Sequence, residues 1–278
     1  MKDYRKLTTE QSNVSSERID RMSALEIARL INDEDKKVAF AVEQALDEIA
    51  MAIDWLYETL QRGGRIFYCG AGTSGRLGAL DASEILPTYG LDGKVIGLMA
   101  GGADAFVRAK EDLEDNPNAF TDPLEHEYGF NGNDILVAVS ASGASECVVG
   151  AIRLAHEKGA KVICVTCNRN SGLVPLSDLP IVAEVGPEVI LGSTRMKAGT
   201  AQKMILNMLS TGAMIRYGRV RGNKMAYLRP TNQKLVARAA RIIEEETGCP
   251  SDEAERALIA CDMVAADAID RIRAGKHY

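Results

Sequence analysis

A chain of 278 residues, 46% hydrophobic and 26% charged, is long enough for one large domain, or a large and a small one, around an ample core. Its net charge of −6 leaves no basic stripe to neutralise a phosphate backbone, which argues against a nucleic-acid partner. No run approaches the roughly 18 apolar residues of a membrane span, and the polar start Met1-Lys2-Asp3-Tyr4-Arg5-Lys6 lacks the apolar core of a signal peptide, so a cytoplasmic protein without membrane partners is expected.

Residues before Ser23 are polar and are expected to wrap over the surface. Ser23 and Glu26 have the spacing of a capping box, which predicts a short helix to about Ile31. Asn32 then reads as the N-cap of one long helix whose apolar face is Val38, Val42, Leu46, Ile49, Ile53, Leu56 and Leu60, ending at Gly63-Gly64. Its expected role is to cover a sheet.

From Arg65 onward apolar runs alternate with amphipathic segments. Strands are predicted at Ile66–Cys69, Val95–Met99, Ile135–Val139, Val162–Thr166 and Ile181–Ala183. The third, Ile-Leu-Val-Ala-Val, does not alternate, as a central strand buried on both faces requires. The predicted fold is α/β, a doubly wound five-stranded parallel sheet whose ligands sit beyond the carboxyl ends of its strands.

The first strand breaks into Gly70-Ala71-Gly72-Thr73-Ser74-Gly75 and a helix follows at once. Glycines let backbone N–H groups approach an anion, and the helix start favours negative charge. The match to G-x-G-x-x-G allows a dinucleotide, but the second strand ends Leu98-Met99-Ala100-Gly101-Gly102 with no acid to hold a ribose. Thr73 and Ser74 suit a single phosphate better. A glycine turn that merely starts a helix is the bland alternative.

The third strand opens into Ser140-Ala141-Ser142-Gly143-Ala144-Ser145 and then a helix with Val148, Val149, Ile152 and Leu154 on one face. Two hydroxyl-rich loops at one edge of the sheet can converge on one phosphate; the alternative for the second is an N-cap serine among small neighbours. After the fifth strand, Ser193 or Thr194 is expected to cap a helix that offers Arg195, Lys197 and Thr200 to the same crevice. Cations are unusual at a helix start, which hints at an anion or an acid nearby.

From Thr231 the pattern is helical. One helix runs from Lys234 to Thr247 and stops at Gly248; a last one starts at Pro250-Ser251-Asp252-Glu253 and carries Leu258, Cys261, Val264, Ala268 and Ile272. The expected division is an N-terminal helical arm (1–37), a main sheet domain (38–225) and a C-terminal helical appendage (231–278).

Candidates for chemistry are few. Cys164 and Cys167 have C-x-x-C spacing but lie along a predicted strand; with Cys69, Cys147, Cys249 and Cys261 they read as buried thiols. His126, His156 and His277 are scattered, so neither metal nor cofactor is expected. Carboxylates remain. Glu84, in Asp81-Ala82-Ser83-Glu84-Ile85-Leu86-Pro87, has small and apolar neighbours that suit a general acid. Glu111, Asp112, Glu114 and Asp115, on the helix after the second strand, read by composition as a solvated face.

Over almost its whole length the chain resembles the N-acetylmuramic acid 6-phosphate etherases, of the sugar-isomerase (SIS) fold family, and more distantly the vertebrate glucokinase regulatory protein. The resemblance runs through Thr9-Glu10 to Asn13, Ile31-Asn32-Asp33-Glu34-Asp35, Gly70 to Gly78, Asp81-Ala82-Ser83-Glu84, Pro87-Thr88-Tyr89-Gly90, Ala100-Gly101-Gly102, Ser193 to Lys203 and Asn207 to Gly212. It implies a lyase that cleaves the D-lactyl ether of an amino-sugar phosphate, as in cell-wall recycling. Glu84 then matches the proton donor and Glu114 a second catalytic glutamate, assigned as the C2 base, which reverses the solvated-face reading. Substrate binding falls to Gly72, Thr73, Ser74, Ser140, Ser142, Gly143, Ser145, Arg195 and Lys197.

If the helix runs unbroken from Ser74 to Glu84, that carboxylate lies about 15 Å from the phosphate loop, too far for one sugar ring. The site is therefore expected to span a homodimer interface. Relatives tend to carry Ser-Gly-Arg-Thr-Pro where this chain has Ser142-Gly143-Ala144-Ser145-Glu146, and its helical appendage is expected to be trimmed. Two rival functions share the fold: a sugar-phosphate sensor without catalysis, and an aldose–ketose isomerase.

Overall fold

A computed structural model describes residues 7–108, 110 and 113–276. Chain contacts divide it into two compact units: the chain up to Ala82 with Lys94–Ser210, and Ser83–Gly93 with the chain from Thr211 onward.

The first unit is built on a five-stranded parallel sheet in the order β2-β1-β3-β4-β5, with β1 at Ile66–Gly70, β2 at Val95–Met99, β3 at Ile135–Val139, β4 at Lys161–Thr166 and β5 at Leu179–Val182. Every residue of β1 and β3 is buried, as two-sided coverage of central strands requires. The fifth strand starts two residues before its predicted position, at Leu179, where Pro180 is tolerated because β5 is an edge.

Helix α1 (Ala24–Glu43) starts at the expected capping box: Ser23 Oγ accepts from Glu26 N–H, and the Glu26 carboxylate accepts from Ser23 N–H at 2.7 Å. It then runs through Asn32, which does not start a new helix. The break falls at Gln44-Ala45, before α2 (Leu46–Gln61). An asparagine side chain can serve a cap but does not force one; here continuing the hydrogen-bonded helix won.

Period-2 alternation assigns the two sheet faces. Phe67, Cys69, Leu136, Ala138, Val162 and Cys164 meet α6 (Glu146–Glu157) in one core that also takes Phe120, Leu124 and Phe130. Fully burying a side chain such as Phe67 or Leu136 contributes about 1.5–3 kcal/mol. The other face carries α2, which touches β1 and β5, and α3 (Gly72–Ser83), whose Gly78 sits against Tyr68. A Cβ on Gly75 would lie 2.3 Å from Gly70 O, so this helix start fits its strand only as glycine.

The second unit has its own core of Leu228, Ile242, Ile243, Leu258, Cys261 and Ile269, formed by α8 (Gln233–Thr247), α9 (Ser251–Ala260) and α10 (Ala265–Arg273). The single last helix expected from Ser251 is broken in two. Asp262 and Met263 adopt φ of 50° and 64°, which turns the chain and lets α10 fold back onto α8. A short α4 (Ile85–Tyr89) belongs to this unit, with Arg229 N–H on Pro87 O at 3.1 Å. Among the described residues no helix is long and apolar enough to cross a membrane.

Candidate active site

Strand order places the site. In a 2-1-3-4-5 sheet the crossover direction changes between β1 and β3, and the loops leaving those strands part to open a crevice. Gly70 is level with Val139, so the glycine loop and the serine loop start side by side. Gly72, at φ 52°, opens α3 directly, and Thr73 and Ser74 occupy its first turn.

The serine loop is shaped by its own hydroxyls. Ser140 Oγ accepts from Gly143 N–H at 3.1 Å and lies 3.0 Å from Ser145 Oγ; Ser142 Oγ accepts from Ala144 N–H at 3.3 Å. Gly143 has φ 70°, and a Cβ there would be 2.2 Å from Ser171 Cβ. Ser145 stands at the N-cap of α6 yet makes no side-chain cap bond. Its hydroxyl donates to Glu114 Oε1 at 2.5 Å.

Glu114 therefore stands beside the loop, not on a solvated helix face. The helix after β2, α5, covers only Gly102–Val107, and Glu114 sits in a turn beyond it whose carbonyl accepts from Cys147 N–H at 3.0 Å. Glu111 and Asp112, grouped with it in the sequence reading, lie outside the described residues.

The start of α7 (Lys197–Arg216) departs from expectation. Neither Ser193 nor Thr194 caps it through its side chain. The Glu188 carboxylate does so, accepting Lys197 N–H at 3.1 Å and Ala198 N–H at 2.9 Å. Burial raises the Glu188 pKa, partly offset by those two N–H groups and Lys197. Lys197 itself is buried, its ammonium 2.5 Å from Glu34 Oε2 on α1. The acid that its position hinted at is thus internal, and the charge expected at the crevice is neutralised inside the fold. Arg195 and Thr200 are exposed.

Helix α7 also reaches the glycine loop. Gln202 is buried and its Oε1 accepts from Ser74 Oγ at 3.0 Å, while Gly199 lies against Thr73. The Ser74 hydroxyl proton is therefore taken within the fold; Gly72 and Thr73 are the more accessible members of that loop. Beyond β4, Asn168 joins three segments: its Oδ1 accepts from Thr8 N–H and Thr8 Oγ1, both at 2.7 Å, and its Nδ2 donates to Ala141 O at 3.0 Å and Thr9 Oγ1 at 3.1 Å. Asn168 and Gln202 were not singled out from sequence because their partners lie far away along the chain, and Glu188 was not because it caps a helix that starts nine residues on, across an irregular loop.

Five of the six cysteines are buried as expected, whereas Cys249, just past the end of α8, is only half-buried. Burial pushes Cys164 up to about 11, against a hydrogen bond with Ser177, and Cys167 up to about 12 with added repulsion from Glu188, so neither is a thiolate at neutral pH. Glu84 follows the unbroken α3 at the N-cap of α4 in the second unit and is exposed. The apolar surround expected from its neighbours is not made within that unit. Asp81, one turn earlier in α3, is the buried acid: Asn207 Nδ2 and Ser210 Oγ donate to its Oδ1 at 2.6 and 3.1 Å.

A five-stranded parallel sheet with two hydroxyl-lined loops at its switch point defines the class. Residues 32–167 and 129–212 each match the SIS domain, so this is a SIS-domain protein. The fold agrees with that of a phosphoheptose isomerase from Francisella tularensis: TM-score 0.55 at 20% identity, covering 69% of this chain and 98% of that one. A protein of Photobacterium profundum named N-acetylmuramic acid 6-phosphate etherase is 50% identical over 94% of this chain and 86% of its own length. One of the same name from Photorhabdus laumondii is 49% identical over 97% of this chain and 89% of its own. The chain belongs to the family of N-acetylmuramic acid 6-phosphate etherases.

Proposed function

We propose that the protein is a carbon–oxygen lyase that converts N-acetylmuramic acid 6-phosphate and water to N-acetylglucosamine 6-phosphate and D-lactate, a step of cell-wall amino-sugar recycling in the cytoplasm. The observation that carries the reading beyond family membership is the Glu114 carboxylate on the Ser145 hydroxyl: it puts a candidate base against the loop that suits a phosphate.

The sugar reacts as its open-chain aldehyde. Glu114 takes the C2 proton, acidified by the neighbouring carbonyl; the C3–O bond breaks with its electron pair going to the lactate oxygen, which Glu84 protonates. Water then adds at C3 of the unsaturated aldehyde and C2 regains a proton. Gly72, Thr73, Ser140, Ser142, Gly143 and Ser145 hold the phosphate and Arg195 meets the anion, while Ser74 and Lys197 support the loops through Gln202 and Glu34.

The active unit in this reading is a homodimer whose partner supplies an acid to each crevice. The unbroken α3 that separates Gly72 from Glu84 in the chain supports it. The three segments 1–37, 38–225 and 231–278 then serve as arm, sugar-phosphate domain and helical appendage. Incubating purified protein with N-acetylmuramic acid 6-phosphate and assaying D-lactate tests the function. Binding without lactate would indicate a sensor, and a new sugar phosphate without lactate an isomerase.

A further inference from the structure

Ser145 sits where a serine oxygen ordinarily accepts from the first N–H groups of its helix, and it does not do so. A hydroxyl has a single proton. Because Ser145 donates to Glu114 and Ser140 accepts from Gly143 N–H, the run has one polarity: Gly143 N–H to Ser140, Ser140 to Ser145, Ser145 to the carboxylate. Glu114 thus takes the donor at the end of the same serine cradle that is read as the phosphate site. Two anions cannot share that proton, and their charges repel at contact distance. The turn carrying Glu114 is held by the backbone bond from Cys147, and the residue is exposed.

We propose that Ser145 is a positioning residue that makes the base conditional on the phosphate: its hydroxyl holds Glu114 until an entering phosphate takes that donor, displaces the carboxylate and releases it toward the sugar carbon. This rests on reading the loop as the phosphate site and Glu114 as the base. An unphosphorylated sugar would then fail for a second reason besides weak binding, because it leaves the base parked.

Crystals of the whole protein with and without N-acetylglucosamine 6-phosphate test the geometry. The Ser145 Oγ is expected within about 3 Å of a phosphate oxygen and no longer of Glu114; phosphate in the cradle with the Ser145–Glu114 bond intact overturns the proposal. In solution, lactate release from unphosphorylated N-acetylmuramic acid is measured with inorganic phosphate added. Wild type and Ser145→Thr should be stimulated about tenfold. Ser145→Ala should start severalfold faster than wild type on that sugar and gain nothing from phosphate, which a merely structural role would not produce; equal stimulation in all three, or none in wild type, sinks the switch. Full activity of Glu114→Gln on the phosphorylated substrate, or phosphate bound outside the cradle, would instead refute the underlying reading.

Discussion

Lys197 Nζ lies 2.5 Å from Glu34 Oε2, with the two side chains only 2% and 5% exposed, so the first turn of α7 is tied to the middle of α1 by a buried ion pair. Lys37, mostly exposed, meets the other carboxylate oxygen. Removing one member leaves a buried charge without its partner, which costs about 3–5 kcal/mol, whereas replacing both by apolar residues costs less than the two singles summed. Lys197→Met, Glu34→Leu and the double variant, compared by urea unfolding, check this.

The same pair sets an acid limit. Burial alone would raise the Glu34 pKa, but the hydrogen bonds from Lys197 and Lys37 outweigh it and hold the carboxyl below its ordinary value. Stability from this group is therefore full above the unfolded glutamate's value of about 4.3 and is lost as pH falls through the lower folded value. Unfolding of wild type and Glu34→Gln across acid pH should show the variant losing less on acidification.

Asp81 has the opposite sign. Burial raises its pKa against the lowering effect of Asn207, Ser210, Tyr68 and Lys203, so its contribution is present below the unfolded value of about 3.9 and is lost as pH rises through the folded one. Asp81→Asn should flatten that pH dependence. Asp81→Ala should cost about 1–3 kcal/mol at any pH, because Asn207 and Ser210 lose a buried acceptor.

Asn168→Ala removes six side-chain hydrogen bonds that tie Thr8 and Thr9 to the serine loop. A loss of roughly 2–4 kcal/mol is expected, with earlier proteolytic cutting near residue 8 and a raised KM. Gly143→Ala should act on the same loop from the other side: at φ 70° a side chain is strained by about 1–2 kcal/mol, and the new methyl meets Ser171. Its KM should rise more than its kcat falls.

Glu84→Gln and Glu114→Gln should each lower lactate release by about 10²–10⁴-fold while N-acetylglucosamine 6-phosphate binding, measured by calorimetry, stays nearly intact. Loss of binding in both would recast them as ligand-holding groups.

The strands, their parallel arrangement and the two loops were legible in the sequence because unalternating apolar runs, glycine breaks and capping residues are local signals. Ile135–Val139 and the Ser23 capping box need no distant partner to be read. The break at Gln44-Ala45 was not legible, since Asn32 offers a cap signal where packing continues the helix. Nor was the split at Asp262-Met263, where two residues without glycine's freedom take positive φ to let α10 pack back.

Site chemistry divides along the same line. Residue types and spacing pointed to hydroxyl-lined loops and a carboxylate pair, and family resemblance singled out Glu114 from an ordinary-looking acidic run. Only the folded chain decided that Glu114 rests on Ser145, that Lys197 is neutralised by Glu34, that Glu188 caps α7 and that Asn168 laces the N-terminal segment to the serine loop. Glu188 reaches N–H groups nine and ten residues on across a loop without periodic pattern; the other pairs join residues far apart in sequence, and strand order and sheet packing bring them together.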